Sequence, residues 1–384
     1  MNKFHYTSYN QEVIFGAGSL VRLSEVVDRF QWGRLMLLTS GSARRNGWVA
    51  QLEAALGSRL VAVYESVKPH VPDFQVAEAA ALAVKNDIDG LIGMGGGSPI
   101  GMAKAVSSAL EEKHLGGQSH AASPRGSPLV PILAIPTTYA GSEMTPVYGV
   151  THHDGRAARK ITATDPRVTP RSVLYDPLLT LDLPPETTAT TGINALAHCI
   201  EALYSITRNP LSTAAALSGV RHIANSLTRC YAAGDDLQAR TEMMTGSYLA
   251  GTALAHVAMG LHHGLCHVLG GSADVPHGIA NSIVLPHAMR YNLDATAPEL
   301  ARAAEAMGIA LDSRSPDSAA QAAVQRVSEL IRQMHLPMRL RDAGVNEADL
   351  PLLAQLALQS RAVQSNPKPI SDAAQIEAIL RAAW

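Results

Sequence analysis

The chain has 384 residues, 47% hydrophobic and 17% charged, which fits a soluble globular enzyme of two or three domains with a large buried core. A net charge of −2 and an aromatic content of 4% argue against a nucleic-acid surface, for want of a basic face and of stacking platforms. Three scattered cysteines (Cys199, Cys230, Cys266), no apolar run of membrane-spanning length and no apolar segment behind Met1-Asn2-Lys3-Phe4-His5 predict a reduced, cytoplasmic protein without membrane partners.

The first half alternates apolar runs with amphipathic stretches. Leu35-Met36-Leu37-Leu38-Thr39, Leu60-Val61-Ala62-Val63-Tyr64, Gly90-Leu91-Ile92-Gly93-Met94 and Leu129 to Pro136 predict buried strands. Gln75 to Asn86 has helical spacing between two of them. Continuous apolar strands alternating with helices predict a parallel sheet covered on both faces. Lys113 to Ser127, rich in Gly, Ser, His and Pro, predicts a surface loop, and His120, His152 and His153 fall in loop-like, solvated sequence.

After Pro184-Pro185 the pattern changes to Ala/Leu-rich helices. Ala214 to Leu227, Thr241 to His256, Ala297 to Met307, Ser318 to Met334 and Ala373 to Ala383 carry it. The expected division is an α/β domain with a parallel sheet over residues 1–180 and an all-helical domain over 181–384, with a ligand cleft where they meet.

Two loops follow predicted strands. Gly93-Met94-Gly95-Gly96-Gly97-Ser98-Pro99 precedes a helix expected from about Ile100, so its backbone N–H groups and the helix dipole suit a diphosphate. It is neither a Walker loop nor a G-x-G-x-x-G fingerprint, since Met102 follows Gly101 and Ser98 and Ile100 stand at the last positions counted from Gly93 and Gly95. The second loop, Pro136-Thr137-Thr138-Tyr139-Ala140-Gly141-Ser142-Glu143, lies at a strand's C-terminal end, where open α/β sheets bind ligands.

In the second half, Asn194 and His198 are four residues apart, as are His263 and His267, and His277 follows in Pro276-His277-Gly278. That spacing puts each pair on one helix face. Four imidazoles and an amide form a metal-type set in which Asn194, neutral and weakly coordinating, stands where a carboxylate would balance the cation. His262 and His287 read as structural.

Taken together, Gly95-Gly96-Gly97-Ser98, Ile135-Pro136-Thr137-Thr138, Asn194-Ala195-Leu196-Ala197-His198 and His263-Gly264-Leu265-Cys266-His267 running on to Pro276-His277-Gly278 resemble the iron-containing alcohol dehydrogenase family. Gly101, Thr138 to Pro146, Asp165-Pro166-Arg167-Val168, Thr191-Gly192-Ile193-Asn194-Ala195 and Asn366-Pro367-Lys368-Pro369 resemble its maleylacetate reductase branch. Pro276-His277-Gly278-Ile279-Ala280-Asn281 instead resembles the general alcohol dehydrogenase form.

The resemblance implies a dinucleotide-binding α/β domain, a helical catalytic domain and an NADH- or NADPH-dependent reductase. It implies cofactor contacts from Ser40, Gly95, Gly96, Gly97, Ser98, Thr137, Thr138, Tyr139, Ser142 and Lys160. It implies a reactive centre of His198, His263, His267, His277 and Asn194, with Lys160 meeting substrate or cofactor and Lys368 as a weaker cation. A metal, iron or zinc, would be held by His198, His263 and His277 with Asn194. The expected enzyme works without a tightly held metal: partly protonated histidines would stabilise an enolate-like oxygen and His267 would deliver the proton.

The strand ending in Thr39-Ser40-Gly41-Ser42 is followed by Arg44 and Arg45, with no carboxylate expected near them to repel a 2′-phosphate. The expected substrate is a carboxylate-bearing ketone or aldehyde, with maleylacetate foremost. A metal-dependent alcohol or aldehyde oxidoreductase is the alternative, and a homodimer is the expected assembly.

Overall fold

The computed structural model describes residues 3–114, 130–153, 158–311 and 315–384. The chain forms two compact units. One is built from Ser8–Thr138 and Ser142–Asp182, and the other from Leu183–Trp384 with Tyr139–Gly141 and the first residues up to Thr7.

The first unit is α/β. Its strands are β1 (Glu12–Phe15), β2 (Leu35–Leu38), β3 (Leu60–Tyr64), β4 (Gly90–Gly95), β5 (Ile132–Pro136), β6 (Val147–His153), β7 (Ala158–Thr164) and β8 (Ser172–Tyr175). Its helices are α1 (Leu23–Phe30), α2 (Gly41–Arg45), α3 (Trp48–Leu56), α4 (Asp73–Lys85) and α5 (Gly97–His114). Six strands form one sheet in the order β1-β8-β5-β4-β2-β3, every pairing parallel.

Both faces of that sheet are buried because the strands are apolar at consecutive positions. In β2, Leu35 and Leu37 enter one core beside Leu23, Val26 and Leu52. Met36 and Leu38 enter the other beside Ala79, Ala80, Met102 and Val106. The period of two that sends neighbours to opposite faces is therefore apolar on both. The strand order reverses between β2 and β4, and ligands of open α/β sheets bind beyond the C-terminal strand ends at such a reversal.

Two glycines bring α5 close to β4. A Cβ on Gly93 would stand 3.2 Å from Ala103 Cβ and from Ile100 Cα. Gly95 has φ +140°, and its Cβ would lie 2.8 Å from Pro99 Cγ, so the turn into α5 demands glycine.

Several local expectations are corrected. β5 begins at Ile132, and α5 begins at Gly97 and runs to His114, so Lys113 is helical and the described part of the expected strand from Leu129 is shorter. His120 and most of the expected loop lie outside the described residues. His152 and His153 belong to β6, which pairs antiparallel with β7, and the half-exposed His152 ring meets Asp73 at 3.2 Å.

The second unit is helical: α6 (Pro185–Tyr204), α7 (Pro210–Ala232), α8 (Leu237–Leu254), α9 (Leu261–Ser272), α10 (His277–Ala306), α11 (Pro316–Gln333), α12 (Leu350–Leu358), α13 (Arg361–Gln364) and α14 (Ala373–Ala382). The helix expected from Ala297 is the last part of α10. That helix bends at Thr296 (φ −135°, ψ 19°), next to Pro298, which removes a backbone donor. Leu261, Leu265 and Leu269 of α9 share a core with Ile283 and Val284 of α10, Leu353 of α12 and Ile376 and Leu380 of α14. Among the described residues no helix is long and apolar enough to cross a membrane.

Candidate active site

The α/β unit brings the two expected ligand loops side by side. Gly95 pairs with Pro136 in the β4–β5 register, and the Thr137 amide donates to the Gly95 carbonyl at 2.9 Å. A Cβ on Gly96 would stand 3.2 Å from Thr138 Oγ1. Gly96, Gly97, Ser98 and Thr138 stay partly exposed while Thr137 is buried. Thr39 Oγ1 donates to Met94 O at 2.8 Å, which ties the end of β2, and with it Ser40, to the start of the glycine turn. Ser40 and Ser42 share a hydroxyl contact of 2.8 Å.

Three other sequence-predicted positions are placed as follows. Tyr139 is fully buried, and its hydroxyl accepts from the buried Arg240 guanidinium at 3.1 Å. Lys160 lies in β7 opposite Thr151. Arg44 is bound by Glu53 and Glu65, so a carboxylate does stand beside the arginines, because β3 pairs with β2 and delivers Glu65 just past its own end.

The loop after β5 is held from beneath by a residue that sequence reasoning missed. Lys104 of α5 is fully buried, and its ammonium donates to the carbonyl oxygens of Ser142 (2.6 Å), Thr145 (2.7 Å) and Val147 (3.0 Å). Burial pulls Lys104 down to about 7, and the charge of Glu143 works against that pull. Glu143 is buried and accepts from the Tyr175 hydroxyl at 2.7 Å.

The histidines gather in the helical unit. α6 presents Asn194, His198 and Glu201 at spacings of four and three, which is one helix face. α9 carries His263 and His267, and α10 opens with His277. The His198 and His263 rings stack at 4.7 Å. The His263 and His277 centroids are 6.4 Å apart, and His267 and His277 stack at 5.9 Å. His198, His263 and Asn194 are buried, whereas His267 is exposed and His277 half-buried. Gly141 lies beside the cluster, its Cβ position 3.8 Å from His198 Nδ1; its φ of +76° and the Gly251 Cα, 3.0 Å from that position, are what call for glycine there.

The remaining cations and histidines have other partners. His262 is buried edge-on to His263, with Nε2 3.3 Å from the Asn281 carbonyl. Burial, with Arg290 adding repulsion, brings His287 to about 4. Lys368 binds Asp294 at 3.0 Å and lies 4.7 Å over the Tyr291 ring.

Burial decides the protonation of this cluster. It drives His263 down to about 3, with repulsion from His267 adding to it. His198 is held well below the ordinary range by burial first and by His263, His262 and His267 after it. The expected imidazolium character is therefore corrected at these two residues, which are neutral near pH 7.

Neutral imidazoles are competent metal ligands. Asn194 Oδ1 and His263 Nε2 are buried with no hydrogen-bond partner among the described residues. The donor set of His198, His263, His277 and Asn194 fits a divalent zinc or iron ion, which these four residues would hold. With no anionic ligand among them, such an ion would be held loosely.

Glu201, His262 and His263 also bring ligand-type atoms within 4.8 Å of one another. The Glu201 oxygens are already engaged there. One accepts from the amides of Gly260 (3.2 Å) and His262 (3.0 Å), and the other lies 2.6 Å from His263 Nδ1. This trio is a hydrogen-bonded support behind the cluster.

Comparison with known proteins matches this architecture along nearly its whole length. The iron-containing alcohol dehydrogenase model matches residues 10–177, and the C-terminal model of the Fe-containing alcohol dehydrogenase family matches residues 188–384. Maleylacetate reductase of Pseudomonas knackmussii is 37% identical over 372 residues, covering 97% of this chain and 95% of that one. The crystal structure of maleylacetate reductase from Agrobacterium tumefaciens superposes with a TM-score of 0.85 at 31% identity, covering 100% of this chain and 99% of that one. A 1,3-propanediol oxidoreductase structure superposes with a TM-score of 0.92 at 31% identity, covering both chains completely. The chain belongs to the iron-containing alcohol dehydrogenase family of oxidoreductases, in its maleylacetate reductase branch.

Proposed function

We propose that this chain reduces maleylacetate to 3-oxoadipate with NADH or NADPH, as a cytoplasmic homodimer acting in the breakdown of aromatic compounds. The observation that carries the reading is relatedness across 97% of the chain to an enzyme of that activity.

The glycine turn Gly95–Ser98 and the adjoining Thr137, Thr138 and Ser142 offer backbone and hydroxyl donors for a dinucleotide, with Ser40 at the end of β2. The nicotinamide supplies hydride to the alkene carbon conjugated with the ketone. Negative charge then collects on the ketone oxygen, and the neighbouring carbon takes up a proton. The histidine cluster is the set of polar groups placed for that charge. His263 and His198 are neutral, so they serve as ligands or lone-pair donors. A divalent ion held by His198, His263 and His277 with Asn194 would supply Lewis acidity there. The exposed His267 is the candidate proton donor, and Lys160 the candidate cation for a substrate carboxylate.

A metal-dependent alcohol or aldehyde oxidoreductase is the second reading, favoured by Pro276-His277-Gly278-Ile279-Ala280-Asn281. The deciding experiment follows NADH and NADPH oxidation with maleylacetate and with simple aldehydes, before and after exhaustive chelation, with metal content measured on the same sample. Turnover of maleylacetate is expected with both cofactors. Turnover of aldehydes alone moves the chain to the second reading.

A further inference from the structure

The helix that carries His263 and His267 begins without a cap of its own. Its N-cap residue, Gly260, has no side chain, so the first amides of α9 have to find acceptors elsewhere. They find two buried side chains from distant parts of the sequence. Glu201 accepts from the amides of Gly260 at 3.2 Å, His262 at 3.0 Å and His263 at 3.4 Å, while Asn366 Oδ1 accepts from Leu261 at 3.2 Å. Glu201 is 0% exposed and Asn366 5%. A carboxylate at the positive end of a helix is electrostatically favoured, and three amide donors offset much of the cost of burying it.

The same carboxylate also holds the ring of His263. Glu201 Oε2 is 2.6 Å from His263 Nδ1, whereas His263 Nε2 is buried with no partner among the described residues. A carboxylate that takes three amide N–H groups is an acceptor, so Nδ1 carries the proton and donates it. A neutral imidazole with its proton on Nδ1 has its lone pair on Nε2. Nothing else on α6 supplies an anion to the cluster, because Asn194 is an amide.

We propose that Glu201 is a positioning residue that fixes His263 as the Nδ1-protonated tautomer, with its Nε2 lone pair presented to the reactive centre, and that it supplies from behind the ring the carboxylate that Asn194 does not supply in front. The inference rests on the histidine cluster being the reactive centre, and it is independent of which substrate is reduced. A carboxylate behind an imidazole raises the basicity of the opposite nitrogen and holds the plane of the ring, so the effect is on the ring's chemistry as well as on the helix.

The test is Glu201→Gln, read by ¹⁵N NMR of histidine-labelled protein and by steady-state kinetics on the same preparation. The glutamine carbonyl still accepts from the Gly260 and His262 amides, at the cost of the long His263 amide contact, but its NH₂ group faces His263 Nδ1 and forces that nitrogen to accept. In the wild type we expect a protonated Nδ1 on His263, and in E201Q a proton moved to Nε2. We expect kcat to fall on the order of 10- to 100-fold with the cofactor KM unchanged. Glu201→Asp, which keeps the carboxylate, should retain the wild-type tautomer and recover part of kcat.

An unprotonated Nδ1 in the wild type overturns the proposal, as does an E201Q protein with the wild-type spectrum and kcat. If E201Q does not fold, the wild-type spectrum and E201D decide. A wild type that turns over no maleylacetate while showing the expected tautomer refutes the proposed substrate and leaves this inference standing.

Discussion

The ammonium of Lys104 and the carbonyl oxygen of Thr145 are 2.7 Å apart, with no solvent around either. Lys104 lies on the helix that leaves the glycine turn, and Thr145 lies in the segment that leaves the Thr137–Thr138 loop. One buried cation thus ties together the two segments expected to hold the cofactor. Removing it takes the ammonium donor from the buried Thr145 carbonyl and from the part-buried carbonyls of Ser142 and Val147.

Lys104→Met should therefore destabilise the protein by about 3 kcal/mol, the usual range for breaking a buried charged network. Urea unfolding measures this directly. The cofactor KM should rise while kcat with saturating cofactor is largely kept, because the loops lose their alignment and the histidines do not. A pH series adds a sign. Lys104 is pulled from 10.5 to about 7, so between those values the unfolded chain binds more protons at this position. Its contribution favours the native state most above 10.5 and is lost as pH falls through 7. The difference in unfolding free energy between wild type and K104M should grow with pH across that window. A flat difference would show that the carbonyl cage keeps the ammonium charged throughout.

Gly260→Ala tests the borrowed cap of α9. A Cβ there would stand 2.9 Å from Glu201 Oε1 and 3.0 Å from Asn366 Oδ1, so it pushes both acceptors off the helix. Loss of two buried caps should cost about 2 kcal/mol. That is roughly 5 °C in Tm for a unit of this size, and calorimetry reads it. Activity should fall with it, since His263 and His267 ride on that helix. An unchanged Tm would mean that α9 finds other acceptors.

The origin of these two supports explains what the sequence could and could not disclose. Asn194 with His198 and His263 with His267 stood out because spacing of four on a helix needs no tertiary knowledge, and His277 stood out in Pro276-His277-Gly278 just after them. Glu201 lies three positions beyond His198 on the same face, inside the apolar run Cys199-Ile200-Glu201-Ala202-Leu203. A single carboxylate in such a run is a readable sign of a buried charge with a partner. Its partner amides, however, belong to a helix some sixty residues later, and no local pattern points there.

Asn366 is similar. Its motif is visible, but its pairing with Asn292, at 2.6 and 3.0 Å, and its hold on α9 come only from the fold. β2, β3, β4 and β5 were legible from their continuous apolar runs. β1 and β8 open on the polar Glu12 and Ser172 and keep only three apolar residues each, and β6 and β7 mix polar and apolar residues as an exposed hairpin does, so neither pair gave a buried-strand signal. Asp154-Gly155 between β6 and β7 was the overlooked cue, since that dipeptide favours hairpins.

Glu65 changes the expectation about cofactor preference. It binds Arg44, with Glu53 3.3 Å away on the other side, so Arg44 is neutralised where a 2′-phosphate would need it. NADH should therefore be preferred to NADPH. Glu65→Ala frees Arg44 and removes a repelling carboxylate, so it should lower the KM for NADPH severalfold and leave that for NADH nearly unchanged. The pair is about half exposed, so stability should hardly move. Equal changes for both cofactors would place Glu65 away from the ribose.

Asn194→Asp asks how much the missing anion matters. In the present chain three imidazoles and an amide offer a divalent ion four donors and no anionic ligand, and the Glu201 carboxylate is already engaged by the Gly260 and His262 amides and lies 2.6 Å from His263 Nδ1. A carboxylate at position 194 adds a charged ligand to the same helix face as His198. Zinc or iron(II) affinity, followed by competition with a chelator, should rise by at least roughly tenfold. Chelation that strips metal readily from the wild type should do so slowly from N194D. The same substitution buries a second carboxylate within the span of Asn194 to Glu201, so metal-free N194D should be less stable than the wild type, and added metal should more than reverse that loss. If metal-free N194D is as stable as the wild type and gains no affinity, the Asn194 side chain does not face the ion, and the donor set is the three histidines alone.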